Sequence, residues 1–187
     1  MVDEPADAPG FVRLASAGDA AAIASVQVTA WHAAFDEIWP AEIFESLAAA
    51  DVEMQWARAV ISPPGPGFRV LVATSDDVVV GYCALAPADD DDAEPAAMEL
   101  VAWEVLPPAR GRGHGTRLLS AAVDHVRQLG GGSLIVWSLA TDDARTGLLR
   151  ACGFAPDGAH REVGLADGWA GAQPAPTLRQ VRYWAAV

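Results

Sequence analysis

The sequence predicts an α/β fold: a central mixed, twisted sheet with helices on both faces. Apolar runs of strand length and apolar repeats of helical period follow one another in the order β-α-α-β-β-β-α-β-α-β-β. Strand and helix alternate only in the second half, which calls for a sheet that is parallel in part and antiparallel elsewhere. The length, 187 residues, suits one domain. A chain of that size buries about 70% of its unfolded surface, so no disulfide or metal is needed to hold it.

The elements justify themselves in order. "MVDEPADAPG" is acidic and proline-rich, and residues 1–10 read as a flexible lead-in to a single domain over 11–187. "FVRLA" is a short strand. Ser16 and Asp19 are helix-start signals, and Ile23, Val26, Ala30 and Phe35 keep helical spacing after them. A second helical region opens at Pro40 and is broken near Asp51; "SPPGPG" ends it. "FRVLVAT" and "VVVGYCALA" form a hairpin about "SDD", and "PADDDDAEP" is an acidic loop whose run Asp89–Asp92 is expected to be solvated. "AMELVAWEVL" is a strand, and a glycine-dense turn leads from it into a helix. "GGGSLIVWSL" is a turn and a buried strand. "TDDARTGLLRACGF" is a short helix whose left-handed cap is Gly153. "REVGL" and "LRQVRYWAAV" are two last strands around a loop from Ala166 to Pro176.

Composition removes several functions. The formal net charge is −13, which argues against nucleic-acid binding, a job for a basic face. All twelve basic residues are arginines, so a Walker-type phosphate loop, which needs lysine, is excluded. No apolar run reaches membrane-spanning length, and the acidic, proline-rich start reads as the opposite of a signal peptide's basic head and apolar stretch. The two cysteines, Cys83 and Cys152, form no metal-binding or disulfide pattern, which fits a reducing cytoplasm. Cys152 is expected to be a small packed residue. No metal is called for, and the sequence leaves monomer and homodimer open.

The stretch "EVLPPARGRGHGTRLL" is the chemical signal. Glycine backbone lets N–H groups approach an anion closely, and a helix N-terminus adds the positive end of its dipole. A dinucleotide fingerprint fails because Thr116 stands in the third glycine slot and no acidic residue follows at the ribose-reading position. A single-strand nucleic-acid patch on Arg110, Arg112 and Arg117 lacks interleaved aromatics. The same arginines make a local basic spot that would draw an anionic ligand.

Arg110-Gly-Arg-Gly-His-Gly115 matches the (Gln/Arg)-x-x-Gly-x-(Gly/Ala) motif of the GNAT superfamily of N-acetyltransferases, and the chain resembles that family over nearly its whole length. "DDARTGLLRACGF" is similar to the family's second signature, and "TAWHAAFDEIWP" to the first-helix segment of a common subgroup. The resemblance implies the GNAT acyl-CoA N-acyltransferase fold and acetyl-CoA as co-substrate. The pyrophosphate would sit on Arg110, Gly111, Arg112, Gly113, His114, Gly115 and Thr116. The pantetheine arm would lie between the strand of Trp103, Glu104 and Val105 and the strand Leu134–Leu139, with Asp142 at a cofactor-contacting position of the second signature.

It further implies direct acetyl transfer to a primary amine of a small molecule or peptide. An alkyl amine is mostly protonated at neutral pH, so a general base is needed. Glu99, eleven residues before Arg110, matches the base position of histone-acetylating members. Glu104 is the second carboxylate of that strand and lies on the opposite pleat unless a bulge changes the parity. The competing role for either is a strand carboxylate that simply reaches solvent. The Val105 N–H is the family-like oxyanion donor. The family's thiolate-protonating tyrosine position holds Leu149, and its asparagine and alanine positions hold Asp142 and Arg145. Ser138 or a water would then take the acid role. Trp31, His32, Phe35 and Trp39 would wall the acceptor site, with ordinary core packing as their competing role. The departures at Leu149 and Asp142 keep a second reading open, a non-catalytic acyl-CoA-binding sensor.

Overall fold

The computed structural model describes residues 10–39, 41–46, 49–164 and 177–187. The expected lead-in up to residue 9, the helix start at Pro40 and the loop from Ala166 to Pro176 lie outside the described residues.

Strand β1 (Phe11–Leu14) leads into helix α1 (Ala20–Phe35). The turn between them is tied by Asp19, whose carboxylate accepts from the Ser16 backbone N–H at 2.7 Å and from both Arg13 guanidinium nitrogens at 2.7 and 2.8 Å. The Arg13 hydrogen bonds hold the Asp19 carboxyl well below the usual carboxylate range. Helices α2 (Ala41–Ser46) and α3 (Ala49–Ile61) follow. The second helical region is thus divided, as expected, near Asp51, which falls in the first turn of α3, where a carboxylate suits the helix dipole. Strands β2 (Arg69–Ser75), β3 (Val78–Pro87) and β4 (Met98–Val105) form an antiparallel meander. Then come α4 (His114–Gln128), β5 (Ser133–Leu139), α5 (Asp143–Ala151), β6 (Ala155–Val163) and β7 (Leu178–Ala186). Gly153 has φ +89°, and the Phe154 N–H closes the end of α5 on Leu149 O at 3.0 Å, the left-handed stop expected there.

One sheet joins all seven strands in the order β1-β2-β3-β4-β5-β7-β6. Only the β4–β5 contact is parallel. Strand β6 starts earlier than the sequence suggests, at Ala155, because an irregularity between Pro156 and His160 interrupts its apolar pattern; Gly158 within it has φ +96°.

Two apolar layers sandwich the sheet. On one face α4 and α5 pack Leu118, Leu119, Ala122, Val126 and Leu149 onto Leu71, Leu85, Leu100, Trp103, Val136 and Tyr183. On the other, Ile23 and Val26 of α1, with Trp56, Ala59 and Val60 of α3, cover Val70, Val72, Val79, Tyr82 and Ala84. This second layer stops at β4.

Asp89, Asp91 and Asp92 are exposed, as expected of a solvated run, but the loop is also ion-paired. The loop folds back across the uncovered part of the second face, where Arg182 of β7 pairs with Asp92 through both Nη atoms at 2.5 and 2.6 Å and with Asp157 through Nε at 2.6 Å. Trp137 Nε1 donates to Asp90 at 3.2 Å. The expectation for Cys152 is corrected: it is exposed at the end of α5, while Cys83 is buried.

Candidate active site

The site begins where β4 and β5 part. They pair only at Met98↔Leu134 and Glu99↔Ile135, and beyond that rung they diverge. The Leu106 N–H donates to Val80 O on β3 at 2.9 Å. Backbone groups alternate sides along a strand, so the N–H and C=O of Val105 and Trp103 turn toward the gap that β5 has left. The Val105 carbonyl accepts from Arg110 Nε at 3.1 Å.

The glycine-dense loop closes the open end of this gap. Gly111 and Gly113 have φ +76° and +79°, conformations that a side chain would strain. Gly113 is the N-cap of α4 and has no side chain to cap with, and the first turn holds no acidic residue. The leading N–H groups of the helix are therefore open to an anion. Arg110 and Arg112 are exposed beside them. Arg117 is committed to building the loop, donating to Arg112 O at 3.0 Å and meeting His114 Nδ1 at 3.1 Å. His114 is buried and braces the loop from beneath. A side chain added at Gly115 would meet the Trp103 indole at 3.4 Å, and the buried Nε1 of that indole has no hydrogen-bond partner among the described residues. A loop of this construction fits a pyrophosphate, and the gap beside it fits an extended chain carrying its own amides.

The exception allowed for the parity of the two carboxylates, a bulge between them, is what the strand contains. Between Ala84 and Leu85 the β3–β4 register shifts, leaving Val101 as the extra residue. Met98 and Leu100 point to the α4 layer before this bulge, and Trp103 and Val105 after it. Glu99 and Glu104 consequently share the opposite face. Their surroundings differ. Glu104 is paired with Arg145 at 3.1 and 3.2 Å, and Arg145 also meets Asp142 at 3.3 Å and lies over the Trp103 ring. Arg145 belongs to α5, so this pair spans the gap. Asp142 caps α5 by accepting from the Arg145 N–H at 2.9 Å. Glu99 sits on the last shared rung of β4 and β5. Burial pushes its carboxyl up, nearby Asp90 and Asp89 add to the rise, and Arg161 opposes it.

The other expected residues are scattered. Ser138 is buried, its hydroxyl within 3.5 Å of Leu139 O. Leu149 is fully buried in the core, and Tyr82 and Tyr183 are buried as well. Burial pushes the Tyr82 hydroxyl up, which makes it a poor proton donor. None of Trp31, His32, Phe35 and Trp39 joins either apolar layer. Phe35 stacks on Trp39 at 4.1 Å, Trp31 meets Trp39 edge-on at 6.0 Å, and His32 stacks on Phe44 at 4.0 Å. Phe44, Trp137, Arg161 and Arg182 escaped the sequence reading. Trp137 stood in an apolar strand with nothing to set it apart.

The family model for the acetyltransferase (GNAT) family matches residues 29–154. The chain belongs to that family. A mycothiol acetyltransferase of Rhodococcus opacus is 36% identical over 121 residues, which are 61% of this chain and 37% of that relative. The chain thus matches little more than a third of the length of this curated relative. Among solved structures, YncA of Salmonella typhimurium with its cofactor acetyl-CoA superposes at a TM-score of 0.69 with 23% identity, covering 96% of this chain and 94% of that one. The ribosomal-protein-alanine N-acetyltransferase of Brucella melitensis gives 0.72 and 24%, covering 95% and 99%. Both likenesses establish the fold. Among the described residues no helix is long and apolar enough to cross a membrane.

Proposed function

We propose that the protein transfers an acetyl group from acetyl-CoA to a primary amine by direct attack in a ternary complex, with Glu99 as general base. The observation that carries this reading is the placement of Glu99 on the last rung before β4 and β5 part. A thioester reaching the bottom of the gap would meet that carboxylate and the amine together.

Acetyl-CoA supplies the activated acetyl group. The chain's own residues do the rest. The loop from Arg110 to Thr116 binds the anionic end through backbone N–H groups and the α4 dipole. The Trp103 and Val105 amides offer an edge to the extended arm, as a neighbouring strand would. Glu99, ionised, takes a proton from the acceptor's ammonium, so that the neutral amine attacks the thioester carbonyl and the thiolate departs, and its raised proton affinity suits it to that task. The Val105 N–H is aimed at the gap, where oxyanion charge develops. Glu104 is already engaged by Arg145. The relatives named mycothiol acetyltransferase favour a small-molecule acceptor over a peptide.

Buried Leu149 in place of a phenol, and the Arg145–Glu104 pair across the gap, favour one second reading, a non-catalytic sensor of acyl-CoA. One experiment separates the two. An amine and peptide panel is offered with acetyl-CoA, and free thiol release is followed beside calorimetric binding. An enzyme releases thiol with some acceptor, and Glu99→Gln slows it by roughly 10²–10⁴ with acetyl-CoA affinity unchanged. Gly113→Val loses binding, since a branched side chain is strained at that φ. Binding without thiol release from any acceptor establishes the sensor, and unchanged affinity in Gly113→Val removes the loop from the site.

A further inference from the structure

The ion-pair partner of Glu99 comes from an unexpected distance across the sheet. Arg161 Nη2 lies 3.9 Å from Glu99 Oε1, close enough for charge interaction and too long for a hydrogen bond. Arg161 belongs to the edge strand β6, and in the sheet both β7 and β5 stand between β6 and β4. The two side chains together bridge that width. On the way the Arg161 guanidinium lies over the Trp137 ring, 4.2 Å from the centroid, and its Nε donates to Gln180 Oε1 at 2.7 Å. An arginine on an edge strand loses rotamer freedom when it is held this way, and an exposed ion pair alone returns little. Two further restraints, one aromatic and one amide, are spent on aiming this cation at one carboxylate.

The rest of the neighbourhood leaves Arg161 without a competitor. Strands β3 and β5 carry no charged residue, and the ionisable residue of α1, His32, faces Asp36 at 3.8 Å. Arg182 of β7 is engaged by Asp92 and Asp157, with Asp90 at 3.4 Å. From the loop, Asp89 and Asp90 act on Glu99 with the opposite sign. The carboxylate therefore stands between one aimed cation and two loop anions.

We propose that Arg161 is a positioning residue for Glu99: laid on Trp137 and tethered to Gln180, its guanidinium fixes the orientation and charge of the carboxylate that receives the proton. This rests on the reading of Glu99 as the base. Trp137 and Gln180 then serve the site at one remove, as the platform and the tether. The arrangement also orders the substituents by sign. Removing the cation makes Glu99 a group that ionises at higher pH, and removing a loop anion does the reverse.

The test titrates Glu99 in the full chain by carboxyl carbon NMR, with the resonance assigned through its loss in Glu99→Gln. Arg161→Gln raises the Glu99 midpoint by roughly half a pH unit, the scale of a partly exposed pair. Arg161→Lys returns most of that shift, because the charge is restored. Asp89→Asn, at an exposed position, lowers the midpoint. With an amine from the acceptor panel, the acid limb of kcat/KM moves in step with each variant, and the limb disappears in Glu99→Gln. An unmoved midpoint in Arg161→Gln, in a chain whose Glu99→Gln variant is slow, overturns the role of Arg161 and leaves the base in place. Parental turnover in Glu99→Gln overturns the base and, with it, the catalytic meaning of the pair.

Discussion

The same face of the sheet is built in two ways. Over β2 and β3, helices α1 and α3 lay down an apolar layer of Ile23, Val26, Val72 and Tyr82. Over β5, β7 and β6 there is no helix on that face among the described residues, and the cover is Trp137 with Arg161, Arg182, Asp90, Asp92 and Asp157. The difference sets what each half can host. Under the helices an ionised carboxylate would be desolvated without compensation. In open water it would have an ordinary proton affinity and no fixed aim. Glu99 lies at the seam, sheltered enough for its carboxyl to be pushed up and close enough to Arg161 to remain usable.

Breaking each half should expose the contrast. The largest effect belongs to the apolar half. Ile23→Ala empties a fully buried position and should cost about 2–5 kcal/mol. The loss, measured by urea unfolding, should be nearly the same at low and high salt. In the charged half, Arg182→Ala strands Asp157 and Asp90 and should cost about 1–3 kcal/mol. That penalty should shrink in concentrated salt, because screening reaches pairs that touch solvent. Equal salt response in the two variants would erase the distinction. The smallest effect sharpens it at the seam. Because the folded chain raises the Glu99 carboxyl above its unfolded value, ionisation costs the folded state. The cost is present above the folded pKa and absent below the unfolded one. Glu99→Gln should therefore stabilise the protein at pH 7.5, with the gain vanishing near pH 4. Paired thermal melts at those two pH values check the sign.

Much of the first half was legible because periodicity reports burial. The β2–β3 hairpin, α1 and the glycine loop all follow from spacing, and Gly153 announced its own stop. The charged half was not legible for a physical reason. A run of four aspartates looks solvated when its partner, Arg182, stands ninety residues from Asp92. Charge counts along the chain do not contain pairings across it. Trp137 was hidden likewise, since an aromatic residue in a strand reads the same whether it fills a core or supports a cation. The relation of Glu99 to Glu104 met a third kind of limit. Alternation gives the faces of a regular strand and is silent on where an extra residue sits.

That extra residue, Val101, is to β4 what a silent letter is to a spelled word, present in the count and passed over in the reading. Read strictly in twos at its present length, the strand would turn Trp103 and Val105 away from the face of Met98 and Leu100 and would part the two glutamates. Passing over one position keeps the four side chains on one face and both carboxylates on the other. Deleting Val101 would leave those faces as they are. What the residue supplies is a bend and added twist directly after the last rung that β4 shares with β5, where the strands part.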